Sequence, residues 1–240
     1  KIPPLKIAAL SNEAFIENPE DPVKKWIVRG RPTDRGLLIG AVKAGVDKRE
    51  IDKETPRIAH APFNSKNKFI ASLNRINKSR EVLNVAGAPE KILEISDSIE
   101  IGGRKQKLNS EKREEIKDRL DQMASEGLRV VGVAYKKTTG QGKRLEKKNK
   151  AKEVAKMCDN LVFVGLVGLK DPLRKGVKEA IKTIRKAGMR PIMVTGDYEI
   201  TAKAVAKEIG LKTEPQNVIG GKDLDKLSED EFESRITDIE

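Results

Sequence analysis

The chain has 240 residues, of which 37% are apolar and 36% are charged, and it carries a formal net charge of +12. This length allows one large domain or two modest ones, and we expect two. The single cysteine, Cys158, excludes an internal disulfide, and no stretch reaches the roughly 18 consecutive apolar residues of a transmembrane helix, so we expect a soluble piece from a reducing compartment.

The amino-terminal half predicts helices on either side of a small group of strands. A helix is predicted from Pro32 to Val46, because proline suits the first turn of a helix and Gly45 suits its end. The turn residues in the next part predict an antiparallel meander of three strands, RIAHAPF, NKFIASLNR and REVLNVAG. A short helix from Pro89 and a longer helix capped by Ser110 follow.

The second half contains two apolar runs, and after them the spacing of the apolar residues changes. The runs LRVVGVAY and LVFVGLVGL have the length of central strands covered on both sides, with a buried helix as the competing interpretation. After Pro172 a helical pattern, the predicted strand RPIMV and a second helical pattern follow one another. Because such alternation is typical of parallel sheets, we place a domain boundary near Asp171.

The positive charge leaves two interpretations open. An anionic partner such as nucleic acid, a membrane surface or a phosphorylated ligand is one, and a lysine-rich solvated surface is the other. The charge is densest in KRLEKKNKAK, Lys143 to Lys152, which is predicted to be a loop because it follows TTGQG. The basic stretches lack the aromatic platforms that single-strand binders use, so we favour the solvated surface.

A strand-to-helix turn is predicted at Thr195, Gly196 and Asp197. Open α/β sheets bind ligands at the carboxyl ends of their strands, and the amides at a helix start favour an anion such as phosphate. On local signals alone, an ordinary turn is the better interpretation of these three residues.

Five motifs give the chain a more specific signature: GRPTDRGLL, PFNSKNK, AGAPEKIL, GLVGLKDPLR and AGMRPIMVTGDYEITAKAVAKEIG. In this order they resemble the cytoplasmic part of P-type cation-transporting ATPases, most closely the calcium and sodium pump branch. The resemblance implies an α+β nucleotide-binding (N) domain over residues 1–171, an antiparallel sheet flanked by helices. Residues 172–240 would be part of a phosphorylation (P) domain, with an α/β Rossmann-like fold of the haloacid dehalogenase type.

The resemblance implies a nucleotide site in the first domain. Phe63 would stack on the adenine ring and Lys68 would lie at the pocket edge, although a core phenylalanine is the plainer interpretation. Asp34 would position the base end, and as a first-turn carboxylate it would also stabilise its helix. Gly87 would let the ligand approach the backbone and Arg129 would reach the phosphates, with a turn glycine and a solvated arginine as the alternatives.

In the second domain the resemblance implies further contacts to the nucleotide and the catalytic centre. Asp171 and Arg174 would contact nucleotide at the interdomain hinge, and Gly196 would also contact the nucleotide. Thr195 would hydrogen-bond the transferred phosphoryl group, and Asp197 would shape the catalytic site.

Two departures from the family pattern lie beside the predicted pocket. Ala86 stands where the family has lysine, which removes an ammonium group and is expected to weaken or reorganise nucleotide binding. Arg31 replaces an acidic residue and reverses a charge at a helix start.

The resemblance implies a parent protein that couples ATP hydrolysis, through an aspartyl-phosphate and with Mg, to cation transport. The nucleophile segment Asp-Lys-Thr-Gly-Thr and the magnesium-binding segment Gly-Asp-Gly-x-Asn-Asp do not occur in the 240 residues. We therefore expect these residues to bind ATP without turnover by the pump mechanism.

The ends, KIPPL and ESRITDIE, predict an excised piece. The resemblance implies that this piece lies on the cytoplasmic side of a membrane in the parent protein. Its expected partners are ATP and the membrane and actuator domains of the same parent chain, with no nucleic acid. Two other function classes stay open. One is a stand-alone phosphatase of the dehalogenase superfamily, which the missing nucleophile argues against, and the other is a basic nucleic-acid-binding protein.

Overall fold

The structure, a computed structural model, describes residues 4–145, 149–170, 173–197 and 199–240. The chain divides into two compact units. The first comprises Lys1–Leu120 and Val130–Leu169, and the second comprises Asp121–Arg129 and Lys170–Glu240. No helix in the described ranges combines the length and apolar character that a membrane crossing requires.

The chain as far as Leu169 supplies a sheet and the helices that flank it. In chain order its elements are α1 (Pro4–Leu10), β1 (Phe15–Ile16), β2 (Val28–Arg29), α2 (Pro32–Lys43), α3 (Lys48–Glu54), β3 (Arg57–Ala61), β4 (Phe69–Arg75), β5 (Arg80–Gly87), α4 (Pro89–Glu94), β6 (Ser96–Ile101), β7 (Arg104–Lys107), α5 (Ser110–Ser125), β8 (Arg129–Thr139), α6 (Gln141–Arg144), α7 (Lys150–Lys156) and β9 (Leu161–Leu169).

The described residues form a seven-stranded sheet in the order β3-β4-β5-β8-β9-β6-β7, while β1 and β2 pair separately. The predicted meander is confirmed, because β3, β4 and β5 pair antiparallel in sequence order. The two apolar runs are the central strands β8 and β9, as predicted. The expectation of an antiparallel sheet is wrong for one pair, since β6 and β9 run parallel. The long connection between them is what a parallel pair requires.

Both faces of the sheet are covered, and neighbouring residues of β5 show this. Leu83 and Val85 belong to a cluster that includes Ile92 of α4, whereas Val82 belongs to a second cluster that includes Ile7 of α1. Successive side chains of a strand point to opposite faces. A strand buried on both faces carries few polar residues, which explains why the central strands are continuous apolar runs.

The predicted helices of this part are present with small changes at their ends. α2 begins at Pro32 as predicted and ends at Lys43, shortly before Gly45. Ser110 is the first residue of α5 and not its cap, because the Asn109 side chain accepts the hydrogen bond from the Lys112 backbone N–H at 3.1 Å. Asparagine caps a helix as well as serine does. The basic run predicted as a loop overlaps the helices α6 and α7, and residues 146–148 lie outside the described ranges.

In the described chain beyond Leu169 the regular elements are helices joined by irregular segments. It contains α8 (Val177–Lys186), α9 (Glu199–Ile209), α10 (Gly221–Leu224) and α11 (Glu229–Ile236), and the first two are the helices predicted after Pro172. The strand predicted at RPIMV is wrong: residues 190–194 form no strand, and Val194 is 91% exposed. A strand needs a neighbour to satisfy its backbone groups, and no other strand occurs among the described residues of 170–240.

Candidate functional site

Phe63 lies in the loop that joins β3 to β4, and 45% of its surface is exposed. Asn64 organises this loop: its backbone carbonyl accepts a hydrogen bond from the Lys68 N–H at 2.9 Å, and its side chain accepts one from the Asn67 N–H at 2.8 Å. Lys68 adopts a left-handed φ of 57° where the loop enters β4. The loop therefore turns the ring outward, and Phe63 is not the core residue that was the plainer interpretation.

A guanidinium group lies against the Phe63 ring. The Cζ atom of Arg31 is 5.6 Å from the ring centroid, within the roughly 6 Å over which cation–π attraction operates. Arg31 also forms an ion pair with Glu13, and its Nε lies 3.3 Å from Oδ2 of Asp34. The charge reversal recognised in the sequence is thus balanced by two carboxylates.

Asp34 occupies the first turn of α2, the position predicted for it. Only 12% of its side chain is exposed. Burial raises the pKa of the Asp34 carboxyl, and the adjacent Arg31 guanidinium opposes that shift. The backbone carbonyl of Asp34 accepts a hydrogen bond from the side chain of the buried Asn12 at 2.9 Å. The carboxylate therefore faces Arg31 more than it faces solvent.

Gly30 brings the chain into position for Arg31. Its φ of +135° is one that side-chain-bearing residues rarely adopt, and an added Cβ would lie 2.8 Å from the Cα of Ala14. Close packing against Ala14 and the unusual backbone conformation both require glycine here. The start of α2 is consequently held against the segment that carries Glu13.

Lys68 and Gly87 meet where β4 begins and β5 ends. Gly87 is the last residue of β5 and pairs with Phe69, so the alternative interpretation as a turn glycine is wrong. A Cβ at Gly87 would lie 2.4 Å from the Lys68 carbonyl oxygen and 2.6 Å from the Phe69 Cα. Glycine is therefore required for the packing of the strands themselves, a reason that the sequence did not show. The Lys68 Nζ lies 4.0 Å from Oε1 of Glu90, and both side chains are exposed.

Ala86, the position of the family lysine, is 1% exposed. It belongs to the apolar cluster that includes Ile7, Leu37 and Val133. This part of the sheet is consequently core. Of the residues named above, the exposed cations are Arg31, which lies against the Phe63 ring, and Lys68, which belongs to the same loop as Phe63.

Three of the residues predicted for the phosphates and the catalytic centre lie together in the second unit. The Nη2 of Arg129 lies 3.1 Å from Oδ1 of Asp197, and the Asp197 N–H donates to the Thr195 hydroxyl at 3.1 Å. Gly196 and Arg174 are exposed. Asp171 lies outside the described residues. Within those residues no group of three or more His, Cys, Asp or Glu side chains could hold a metal ion.

Sequence reasoning missed three residues that shape this region. Asn64 carried a local signal, because asparagine commonly caps a turn through its own side chain. Glu90 follows Pro89 in the first turn of α4, where acidic residues are favoured, but nothing indicated its nearness to Lys68. Glu13 had no local signal, since it is 18 residues from Arg31.

Comparison with known proteins identifies the family. Residues 4–176 match the family described as P-type ATPase, cytoplasmic domain N. The chain is 30% identical over 210 residues to calcium-transporting ATPase 1 of Lactococcus lactis subsp. lactis (strain IL1403), which covers 88% of this chain and 23% of that protein. It is 30% identical over 236 residues to the calcium-transporting ATPase of Bacillus subtilis (strain 168), covering 98% of this chain and 25% of that protein.

A third relative is an animal protein. The chain is 35% identical over 219 residues to the sodium/potassium-transporting ATPase subunit alpha of Drosophila melanogaster, which covers 89% of this chain and 21% of that protein. The chain thus spans a quarter or less of the length of these three relatives. Because the family match covers most of its residues, the chain belongs to the P-type ATPase family, and its residues 4–176 match the cytoplasmic N domain.

Proposed function

We propose that the chain binds ATP through its first unit and supplies that nucleotide to the phosphorylation reaction of a cation-transporting P-type ATPase. The observation that carries this proposal is the exposed Phe63 ring, which a loop holds outward in a domain of this family. In a chain in which aromatic residues make up only 3%, an outward-facing ring with a guanidinium against it and a lysine in the same loop is a specific arrangement. It suits a flat base that carries a polyanionic tail.

The base would stack on Phe63, where dispersion and burial of the ring provide affinity without requiring hydrogen bonds. Asp34 would act at the base end through Arg31, which it contacts at 3.3 Å. Lys68, more than half exposed, would place its ammonium group at the pocket edge and offset phosphate charge. Gly87 would contribute by fixing the strand ends from which the Lys68 loop projects.

Residues outside the Phe63 loop would also contact the nucleotide. We assign Arg129 of the proposed N domain to the phosphates, and Asp171 and Arg174 at the hinge to further nucleotide contacts. In the proposed P domain, Gly196 would contact the nucleotide, and Thr195 and Asp197 would belong to the catalytic centre. Magnesium would arrive with the nucleotide, and the magnesium-binding segment of the parent's P domain would hold it. The metal would neutralise the charge that develops on the transferred phosphoryl group.

For the parent protein we propose hydrolysis of ATP through an aspartyl-phosphate, coupled to transport of a cation across a membrane. Residues 1–171 would form the N domain and residues 172–240 part of a P domain of the haloacid dehalogenase type, on the cytoplasmic side. Membrane and actuator domains of the same chain would be its partners. The relatives are named for calcium transport and for sodium and potassium transport.

The test is the affinity for ATP of the Phe63→Ala variant, measured by isothermal titration calorimetry. Loss of base stacking is expected to weaken binding by about 1 to 3 kcal/mol. Phe15→Ala is the matched control, because Phe15 is also an exposed phenylalanine of the first unit and lies outside the predicted pocket. Equal affinity of Phe63→Ala and the unmodified chain would remove Phe63 from the nucleotide site.

A further inference from the structure

The polar groups around Phe63 differ in what they can offer to the edge of a bound base. The Arg31 side chain is 51% exposed, whereas those of Glu13 and Asp34 are 28% and 12% exposed. Both carboxylates contact the guanidinium. The group that is most open to a ligand beside the ring is therefore a hydrogen-bond donor, and the acceptors are turned toward that donor.

Arg31 retains donor capacity after these contacts. Its Nη2 donates to Glu13 and its Nε lies beside Asp34. Within the described part of the chain, the Nη1 atom makes no hydrogen bond. A guanidinium presents its N–H groups as a planar fork that can engage two acceptors at once. Each Nη carries two N–H groups, and Nη2 uses one of its two for Glu13. The second N–H of Nη2 and the adjacent N–H of Nη1 therefore form the fork that is available to a ligand.

The position of Arg31 decides where it would meet a base. Its Cζ is 5.6 Å from the Phe63 centroid. A base between the ring and the guanidinium would need a contact distance of roughly 3.5 Å on each face, so roughly 7 Å in all. A base that stacks on this face must therefore displace the guanidinium sideways. Because Glu13 and Asp34 tether Arg31, the displaced group stays beside the edge of the base.

We propose that Arg31 is a specificity-determining residue and that this chain accepts 6-oxopurine nucleotides at least as well as ATP. Guanine and hypoxanthine present O6 and N7, two adjacent acceptors that an arginine fork can contact together. Adenine presents N7 next to an amino group, whose N–H bonds would face those of Arg31. This inference rests on the proposed function, since the same ring stacks the base.

The experiment is a calorimetric titration of the 240-residue chain with ATP, GTP and ITP, together with its Arg31→Met and Arg31→Lys variants. ITP has the O6 and N7 acceptors without the 2-amino group of GTP, so it isolates the proposed contact. In the unmodified chain, GTP and ITP are expected to bind at least as tightly as ATP. In Arg31→Met both should weaken by about tenfold, while ATP changes little.

Arg31→Lys should lose the same preference, because an ammonium keeps the charge but not the planar fork. This variant also retains a cation for Glu13 and Asp34, so it decides the question should Arg31→Met fail to fold by circular dichroism. Arg29→Met is the matched control: Arg29 is exposed, pairs with Glu17 and lies two positions from Arg31. It is expected to leave all three affinities unchanged.

Two results would overturn the inference: an unmodified chain that binds ATP more tightly than GTP and ITP, or an Arg31→Met variant that weakens all three nucleotides equally. Equal weakening would mean that Arg31 acts on the phosphates. Failure of the proposed function is recognised separately. If Phe63→Ala leaves every affinity unchanged, both proposals fail, whereas a Phe63 effect with a constant GTP-to-ATP ratio in the Arg31 variants removes the selectivity alone.

Discussion

The two units of the chain bury their apolar residues to very different extents. In the first unit, the apolar run LVFVGLVGL forms the central strand β9, and three of its residues are buried. In the second, the run RPIMV forms no strand and leaves Val194 91% exposed. Both runs suit a strand by composition. A short apolar run of this composition therefore forms a strand only where a neighbouring strand supplies hydrogen-bond partners for its backbone.

The helices of the two units show the same contrast. α4 has only six residues but buries Ile92 and Leu93 against the sheet. α8 has ten residues with its apolar side chains spaced along one face, yet none of its residues is buried. An amphipathic sequence therefore specifies which face is to be covered, while burial depends on the presence of a partner surface. The following predictions test how far this contrast extends to stability and reactivity.

The largest expected difference is in thiol reactivity. Cys158 is 7% exposed and lies in the apolar cluster of the first unit, and burial raises the pKa of its thiol to about 12. At pH 8 its thiolate fraction should be about a thousandfold below that of an ordinary thiol. A second chain with Cys158→Ala and Val194→Cys carries its thiol at the exposed position and should react at the ordinary rate with a disulfide reagent.

The same thiol gives a pH dependence whose sign can be worked out. Because the pKa of Cys158 is higher in the folded chain, the unfolded chain loses its thiol proton first as the pH rises above about 9. The contribution of this group is therefore constant below that pH and destabilises the fold between about 9 and 12. Labelling of the unmodified chain should speed up over the same range. Equal labelling rates for the two chains at pH 8 would contradict the contrast between the units.

A matched pair of valine substitutions measures the contrast as stability. Val133 is fully buried in β8, so Val133→Ala should lower the free energy of unfolding by about 2 to 3 kcal/mol through lost burial and the cavity left behind. Val194→Ala should change it by less than about 0.5 kcal/mol. Urea unfolding followed by Trp26 fluorescence reports on the first unit, and circular dichroism follows both units. A small cost at Val133 would show that the sheet tolerates cavities unexpectedly well.

The parts of the fold that could be predicted are those whose signals are local. Turn residues between short strands were sufficient for the β3 to β5 meander, and proline and glycine marked the ends of α2. The parallel pair β6 and β9 could not be predicted in this way. Its partners are joined through α5 and β8, and pairing over that distance is decided by packing of the whole sheet.

The residues of the candidate site also differ in whether a local signal indicated them. Phe63 and Lys68 share one loop, so a single motif indicated both, whereas the contact of Arg31 with Glu13 depends on the antiparallel pairing of β1 and β2. Each of these strands has two residues, too few for a periodic signal. The sequence showed that the charge at position 31 departs from the family pattern, but not that two carboxylates balance it.

Glycine substitutions sharpen the contrast at two predicted site residues. Gly87→Ala would place a Cβ 2.4 Å from the Lys68 carbonyl oxygen, and the forced shift of the strands should cost about 1 to 3 kcal/mol. Gly196→Ala meets no atom of the described residues within 4 Å and should leave stability almost unchanged. Denaturant unfolding checks both. Lower ATP affinity in a fully stable Gly196→Ala variant would support its proposed contact with nucleotide, and a stable Gly87→Ala variant would refute the packing argument.

The smallest effects on stability are expected from exposed ion pairs. Removing such a pair should lower the free energy of unfolding by a similarly small amount in both units. Asp197→Asn removes the carboxylate that Arg129 contacts at 3.1 Å, but both side chains are about half exposed or more, so the loss should stay below about 0.5 kcal/mol. Glu17→Gln removes the comparable exposed partner of Arg29 in the first unit and should have an equally small effect. Urea unfolding at low salt and at about 1 M salt distinguishes an electrostatic loss of stability from a packing loss. Screening at the higher salt should abolish the electrostatic loss in both variants. If Asp197→Asn loses stability to the same extent at high salt, the loss is not electrostatic. The turn from Thr195 to Asp197 would then contribute more to the stability of the second unit than its few buried residues indicate.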